Sequence, residues 1–243
     1  MRLTIATLSL AFLAAFWLVP VHADDQHHHH HHHDHAHEND SAAEELDEET
    51  RIGDAWPLDT CVVAGMKLGS MGDPIVKLHE GREVRFCCAG CVPRFEANPN
   101  EYLEKADEKI AEQQRDFYPL TYCIVDTDED ISGERSIALE RVIGNRLFIF
   151  CCPGCYHYAV ERPTEHIRKL DKAVVEDQKE DYPLDTCVVS GMDLDSMGGP
   201  YDIVHANRLV RLCCEGCTGA FDSDPVKHME KIDEALEEAA SGE

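Results

Sequence analysis

Phe86-Cys87-Cys88-Ala89-Gly90-Cys91 recurs as Phe150-Cys151-Cys152-Pro153-Gly154-Cys155 and again as Leu212-Cys213-Cys214-Glu215-Gly216-Cys217. The three Cys-Cys-x-Gly-Cys clusters stand roughly sixty residues apart, so the chain is read first as an internal repeat. Upstream, each copy opens with an aromatic-Pro-Leu triplet at Trp56, Tyr118 or Tyr182 and places a lone cysteine three residues after the triplet's leucine, at Cys61, Cys123 and Cys187. Between lone cysteine and cluster, apolar and polar residues alternate about a turn, as in Ile75 to His79, Glu80-Gly81 and Arg82 to Phe86; copy two turns at Gly144-Asn145. That pattern predicts a β-hairpin that delivers the cluster at the end of its second strand. Downstream come Pro99, Pro163 and Pro225, each followed by a charged segment with helical spacing, with Asn98 and Asp224 as N-caps. Each module is therefore expected to be small α+β: hairpin, cysteine knuckle, helix.

The chain divides on this reading into a leader at 1–23, a His-rich acidic segment at 24–50, and modules at 51–117, 118–181 and 182–243. The leader carries Arg2, an apolar run from Leu3 to Val19, and Val21-His22-Ala23 in the small-residue pattern of a signal peptidase site; a retained single-span anchor is the competing reading. Cleavage implies export, to a periplasm or the medium, and no later stretch is apolar enough to span a bilayer. The next segment holds His27, His28, His29, His30, His31, His32 and His33 in an unbroken row, then His35 and His37 among acidic residues. Nothing there can form a core, and it is read as disordered.

The formal net charge is −26 and becomes one unit more negative when the leader is removed. A field of that sign disfavours nucleic acid and anionic lipid, and it concentrates cations. Four cysteines per module, one isolated and three clustered, are the donor set of a tetrahedral thiolate site for a soft or borderline cation, zinc or copper. All twelve are candidate ligands: Cys61, Cys87, Cys88 and Cys91; Cys123, Cys151, Cys152 and Cys155; Cys187, Cys213, Cys214 and Cys217. Gly90, Gly154 and Gly216 are expected to allow the tight turn that makes the thiolates converge. Because neighbouring side chains on a strand point to opposite faces, one of each vicinal pair is a bystander if the strand continues; a break at the knuckle brings both in. Met66, Met71, Met192 and Met197 are read as core residues, with thioether ligation of monovalent copper as the alternative. His79 and His205 are read as surface residues, with ligation as the alternative. The His row would bind zinc, nickel or copper(II) without fixed geometry.

With these residues quoted, the sequence resembles the YHS and TRASH families of small metal-binding modules associated with heavy-metal handling. Cys61-Val62-Val63-Ala64-Gly65-Met66, the hairpin, the first cluster, Phe95 and Asn98 to Leu103 carry the resemblance; copy three matches through Cys187 to Met192, Cys213 to Cys217, Phe221 and Asp224-Pro225. The resemblance implies a treble-clef-like fold and a ligand set of one early cysteine plus a CxxxC pair, falling here on Cys61, Cys87, Cys91 and on Cys187, Cys213, Cys217. Cys88 and Cys214 are extra to that pattern. Copy two departs: Ile124-Val125-Asp126-Thr127 follows its first cysteine, and Ala159 stands where the others have Phe95 and Phe221. It is read as the module whose loading is least secure and as a spacer.

The resulting expectation is a non-enzymatic, exported carrier, buffer or sequestering protein for zinc or copper, with a metal efflux or uptake component of the cell envelope as its partner. A disulfide-stapled interaction scaffold is the alternative, since an oxidising compartment favours six disulfides. Thiol oxidoreductase chemistry is set aside because a helix-starting CxxC within a βαβ pattern is not evident. No nucleophile motif, phosphate loop or His-Glu zinc-enzyme signature is present.

Overall fold

The computed structural model describes residues 51–133 and 138–241, so the expected leader at 1–23 and the His-rich segment at 24–50 lie outside the described residues. Three hairpins form where alternation predicts them: β1 (Ile75–His79) with β2 (Arg82–Phe86), β3 (Leu139–Ile143) with β4 (Arg146–Phe150), and β5 (Tyr201–His205) with β6 (Arg208–Leu212). All are antiparallel with five paired positions, from Ile75 opposite Phe86 to His79 opposite Arg82 in the first. Both turn residues have positive φ in each hairpin, which is the two-residue turn that matches strand twist.

After each hairpin a short helix follows the cysteine cluster and a long one follows the proline. These are α1 (Val92–Ala97) and α2 (Pro99–Gln114), α3 (Pro153–Val160) and α4 (Pro163–Gln178), α5 (Thr218–Ser223) and α6 (Pro225–Ser241). The sequence reading missed the short helices, having only a knuckle there. Proline opens all three long helices, where its missing N–H costs nothing. Asp224 accepts from Lys227 N as an N-cap should, whereas Asn98 donates to Glu101 and leaves the backbone uncapped by its side chain.

Each copy has its own apolar core. Copy one buries Trp56, Phe86, Phe95 and Ile110; copy two Phe148, Phe150, Leu170 and Val174; copy three Leu212, Phe221, Met229 and Ile232. The copies also pack on one another, because each long helix lies on the hairpin of the next copy, α2 on β3–β4 and α4 on β5–β6. Two glutamines closing their sixteen-residue helices secure this. Gln114 accepts from Leu147 N at 2.8 Å and donates to Asn145 O at 2.9 Å; Gln178 does the same for Leu209 N and Asn207 O. Copy two thus packs against both of its neighbours, and the described residues belong to one compact unit.

The polar face of β2 is buried too. Glu83 accepts from Trp56 N and Arg85 Nε, each at 2.8 Å, and pairs with Arg51, which reaches Asp222 of copy three. Arg85 donates to the carbonyls of Asp222 and Ser223. Beside this cluster Asp54 holds Arg146 of copy two through two hydrogen bonds and accepts from Ala206 N of copy three at 2.7 Å, while Arg146 also donates to Asp171 and to Val204 O. Burial by itself would raise the Asp54 carboxyl, and the Arg146 guanidinium overrides it, holding Asp54 below its ordinary value. The segment before Trp56 reaches the junction only because two backbones nearly touch: a Cβ on Gly53 would meet Gly144 O at 2.1 Å, and one on Gly144 would meet Ile52 O at 2.4 Å.

His205 closes this junction. Expected at the surface, it is 3% exposed, edge-on to Phe221 at 5.3 Å; half-buried His79 stands likewise on Phe95 at 5.2 Å. In copy two Ile143 and Ala159 stand at the two equivalent positions and belong to one apolar cluster, so the His–Phe pair is replaced as a pair. Burial lowers His205 to about 4, with Asp54 opposing and Arg146, Arg51 and Arg85 reinforcing the shift. Folded His205 therefore stays neutral between about 4 and the ordinary value near 6.5 while the unfolded chain takes up the proton. Stability should fall as pH drops through that window, by about 2 kcal/mol between pH 7 and pH 5 from this group. Urea unfolding of the reduced, metal-free chain at the two pH values checks it: His205→Asn should lose less on acidification than the parent, and equal losses would remove His205 as the cause.

Candidate metal centres

Three groups of cysteine sulfurs converge, one per copy: Cys61, Cys87 and Cys91; Cys123, Cys151 and Cys155; Cys187, Cys213 and Cys217. Within each group all sulfurs lie within 4.8 Å of one another. The lone cysteine arrives on a tight loop fixed by backbone bonds, Cys61 N to Met66 O at 2.8 Å and Gly65 N to Cys61 O at 2.9 Å, which copy three repeats at Cys187. The hairpin delivers the second cysteine as its outgoing strand ends, and the following turn places the third.

The strand does break at the cluster. Cys88 is extended, with φ −164° and ψ 162°, and the chain turns at once into a 3-10 turn over Ala89–Cys91. Both members of the vicinal pair consequently approach the last cysteine: Cys87 and Cys88 each lie 3.8 Å from Cys91, sulfur to sulfur, and Cys151 and Cys152 each lie 3.6 Å from Cys155. Cys213 is 3.8 Å from Cys217. A tetrahedron with metal–sulfur bonds of about 2.3 Å has edges of about 3.8 Å, so these spacings fit a thiolate-bound ion. A disulfide needs about 2.05 Å, and none of the twelve cysteines is joined in one in this structure. The fourth cysteine of each copy stays outside the mutual group: Cys88 and Cys214 are half-buried and Cys152 is exposed.

In each group the lone cysteine's thiol lies below its ordinary value and the last cysteine's thiol lies above it. Burial works against the Cys61 thiolate, but the amides of Ala64, Cys87 and Val63 donate to its sulfur and bring it below the ordinary value. Cys123 is lowered against burial by the amides of Cys151, Asp126 and Val125, and Cys187 falls to about 6 against burial through the Ser190 hydroxyl and amides. Burial and neighbouring sulfurs push Cys91 and Cys217 up to about 12. A set of thiols that cannot all ionise together is what a cation resolves, by neutralising the charge and releasing protons.

Several sequence expectations need correction. Gly90, Gly154 and Gly216 do not have the positive φ that would require glycine, and a Cβ would meet the fourth cysteine's sulfur only at 3.7–3.9 Å. The 3-10 or helical turn itself, not glycine's backbone freedom, makes the sulfurs converge. Met66, Met71, Met192 and Met197 are not core: they are 47%, 59%, 46% and 60% exposed, because Leu68 and Leu194 fill the inward position of each loop. Neither His79 nor His205 joins a cysteine group. A CxxC does start a helix, in copy two, where Cys152 directly precedes α3; a hairpin and not a βαβ unit leads into it. His27 to His33, His35 and His37 lie outside the described residues.

No helix among the described residues is long and apolar enough to cross a membrane. Comparison with known proteins returns no matching family model, no matching curated protein and no matching solved structure.

Proposed function

We propose that this chain is an exported heavy-metal-binding protein, a carrier, buffer or sequestering agent for zinc or copper, and not an enzyme. The observation that carries the proposal is the threefold recurrence of a cysteine group with mutual sulfur distances inside 4.8 Å, on three separate hairpins of differing sequence. Disulfide stapling would need sulfurs in pairs, whereas here each copy brings its cysteines towards one point, with amides aimed at a sulfur. Thiolate donors select soft or borderline cations. The resemblance to YHS and TRASH modules points the same way, and the exposed methionine loops of copies one and three are compatible with monovalent copper. The His row acts as a fast, unselective collecting arm that weakens as its imidazoles protonate below about pH 6.5. A metal efflux or uptake component of the envelope would receive or supply the ion.

Metal content and free-thiol count on the untagged protein, exported in its native setting and purified without chelator or nickel resin, test the reading. The expected result is two or three zinc or copper ions per chain, retained after deletion of residues 27–37, with thiols becoming reactive once metal is removed. No metal and no free thiols would establish a disulfide scaffold instead.

A further inference from the structure

The three cysteine sets differ at the fourth cysteine. In copies one and three that residue is half-buried, and the following Ala89-Gly90-Cys91 or Glu215-Gly216-Cys217 forms only a three-residue 3-10 turn before a six-residue helix. In copy two the cluster reads Cys152-Pro153-Gly154-Cys155. Cys152 occupies the N-cap of the eight-residue α3, and Cys152, Pro153 and Gly154 are all exposed. Its sulfur lies 3.6 Å from that of Cys155. Cys151 is equally near Cys155 but is half-buried at the end of β4, where a bulky reagent meets it less readily. An exposed first thiol with a resolving thiol one helical turn on is the arrangement that supports exchange with a disulfide.

We propose that copy two is an oxidant-sensitive release site: a disulfide-bearing compound exchanges with Cys152, Cys155 closes a Cys152–Cys155 bond, and the ion of that copy alone is discharged. The proposal rests on the metal-binding reading. In the first step the Cys152 sulfur attacks one sulfur of R–S–S–R, the S–S bond breaks, and one RS⁻ departs, leaving a mixed disulfide. In the second the Cys155 sulfur attacks Cys152 Sγ, the mixed bond breaks, and the second RS⁻ departs. The two cysteine sulfurs lose two electrons and the external disulfide gains them; the departing thiolates take protons from solvent. Cys155 then no longer ligates, and the Cys123, Cys151, Cys155 group is left with two thiolates. Copies one and three, with their fourth cysteines half-buried, keep their ions.

The test treats the metal-loaded full chain with oxidised glutathione, follows released ion with a chromophoric chelator, and maps disulfides by peptide mass spectrometry. A fast phase of about one ion per chain, coincident with a Cys152–Cys155 bond, is expected, and Cys152→Ser should slow that phase by at least about tenfold. Equal release from all three copies, or a first disulfide at Cys88–Cys91, Cys214–Cys217 or Cys151–Cys155, overturns the proposal. Should the chain hold no metal, the metal-binding reading fails by itself; mapping on the metal-free chain still decides the exchange step, which falls if Cys152 reacts no faster than Cys88 and Cys214.

Discussion

Replacing Arg146 with alanine is expected to destabilise the folded chain by about 3–5 kcal/mol, because it leaves the Asp54 carboxylate buried without its cation. The Arg146 side chain is 1% exposed and that of Asp54 5% exposed. Arg146 binds Asp54 through two guanidinium nitrogens and reaches Asp171 at 2.6 Å and Val204 O at 2.9 Å, so one side chain joins the opening segment of copy one, the helix of copy two and the hairpin of copy three. Asp54 retains a single amide donor, from Ala206, once Arg146 is gone. Removing both charges with Asp54→Asn and Arg146→Met should cost less than Arg146→Ala alone, since no buried ion is then stranded. Urea unfolding of the reduced, metal-free chain reads both. A loss below about 1 kcal/mol for Arg146→Ala would mean that the junction adds little and that the copies are stable separately.

Alternation located both strands of the first hairpin at their observed bounds, since Val84 and Phe86 must share a face and Glu80-Gly81 supplies a turn. The same alternation directs Glu83 and Arg85 towards water, yet they are 1% and 6% exposed. Their partners Arg51 and Asp222 lie far away in the chain, and a local pattern carries no trace of such pairings. Gln114 and Gln178 left a fainter signal: both close their helices at equivalent positions of the repeat, in segments otherwise reading as solvated.

At the cysteines the spacing conveyed which residues meet, because a lone cysteine, a hairpin and a CxxxC pair leave the chain few ways to arrange them. Spacing could not rank the vicinal cysteines by exposure. That depends on where the strand stops and on whether a 3-10 turn or a full helix follows, and within the Cys-Cys-x-Gly-Cys cluster copy two differs by a proline, Pro153, at x. The methionines were misjudged for a related reason. Apolar character in a loop predicts burial only if the loop has an inward position to give, and Leu68 and Leu194 occupy it.

Replacement of the lone cysteine should have the largest effect on binding. Cys61→Ser is expected to weaken the site of copy one by at least about a hundredfold, since disturbing groups that merely support a metal ligand already costs about 10–100-fold and Cys61 belongs to the mutual sulfur group itself. Amide donors hold its thiol below the ordinary value against burial, and a serine hydroxyl would receive those donors without becoming an anion at neutral pH. Cys88→Ser removes a sulfur near Cys91 but outside the group and should weaken the site less. Competition titrations against a chromophoric chelator, with far-UV circular dichroism as a check on folding, rank the two variants. If Cys88→Ser proved as damaging as Cys61→Ser, the ion would be held by all four sulfurs of the copy, drawn into the tetrahedron as it binds; if neither variant lost affinity, the folded cysteine groups would not be where the metal resides.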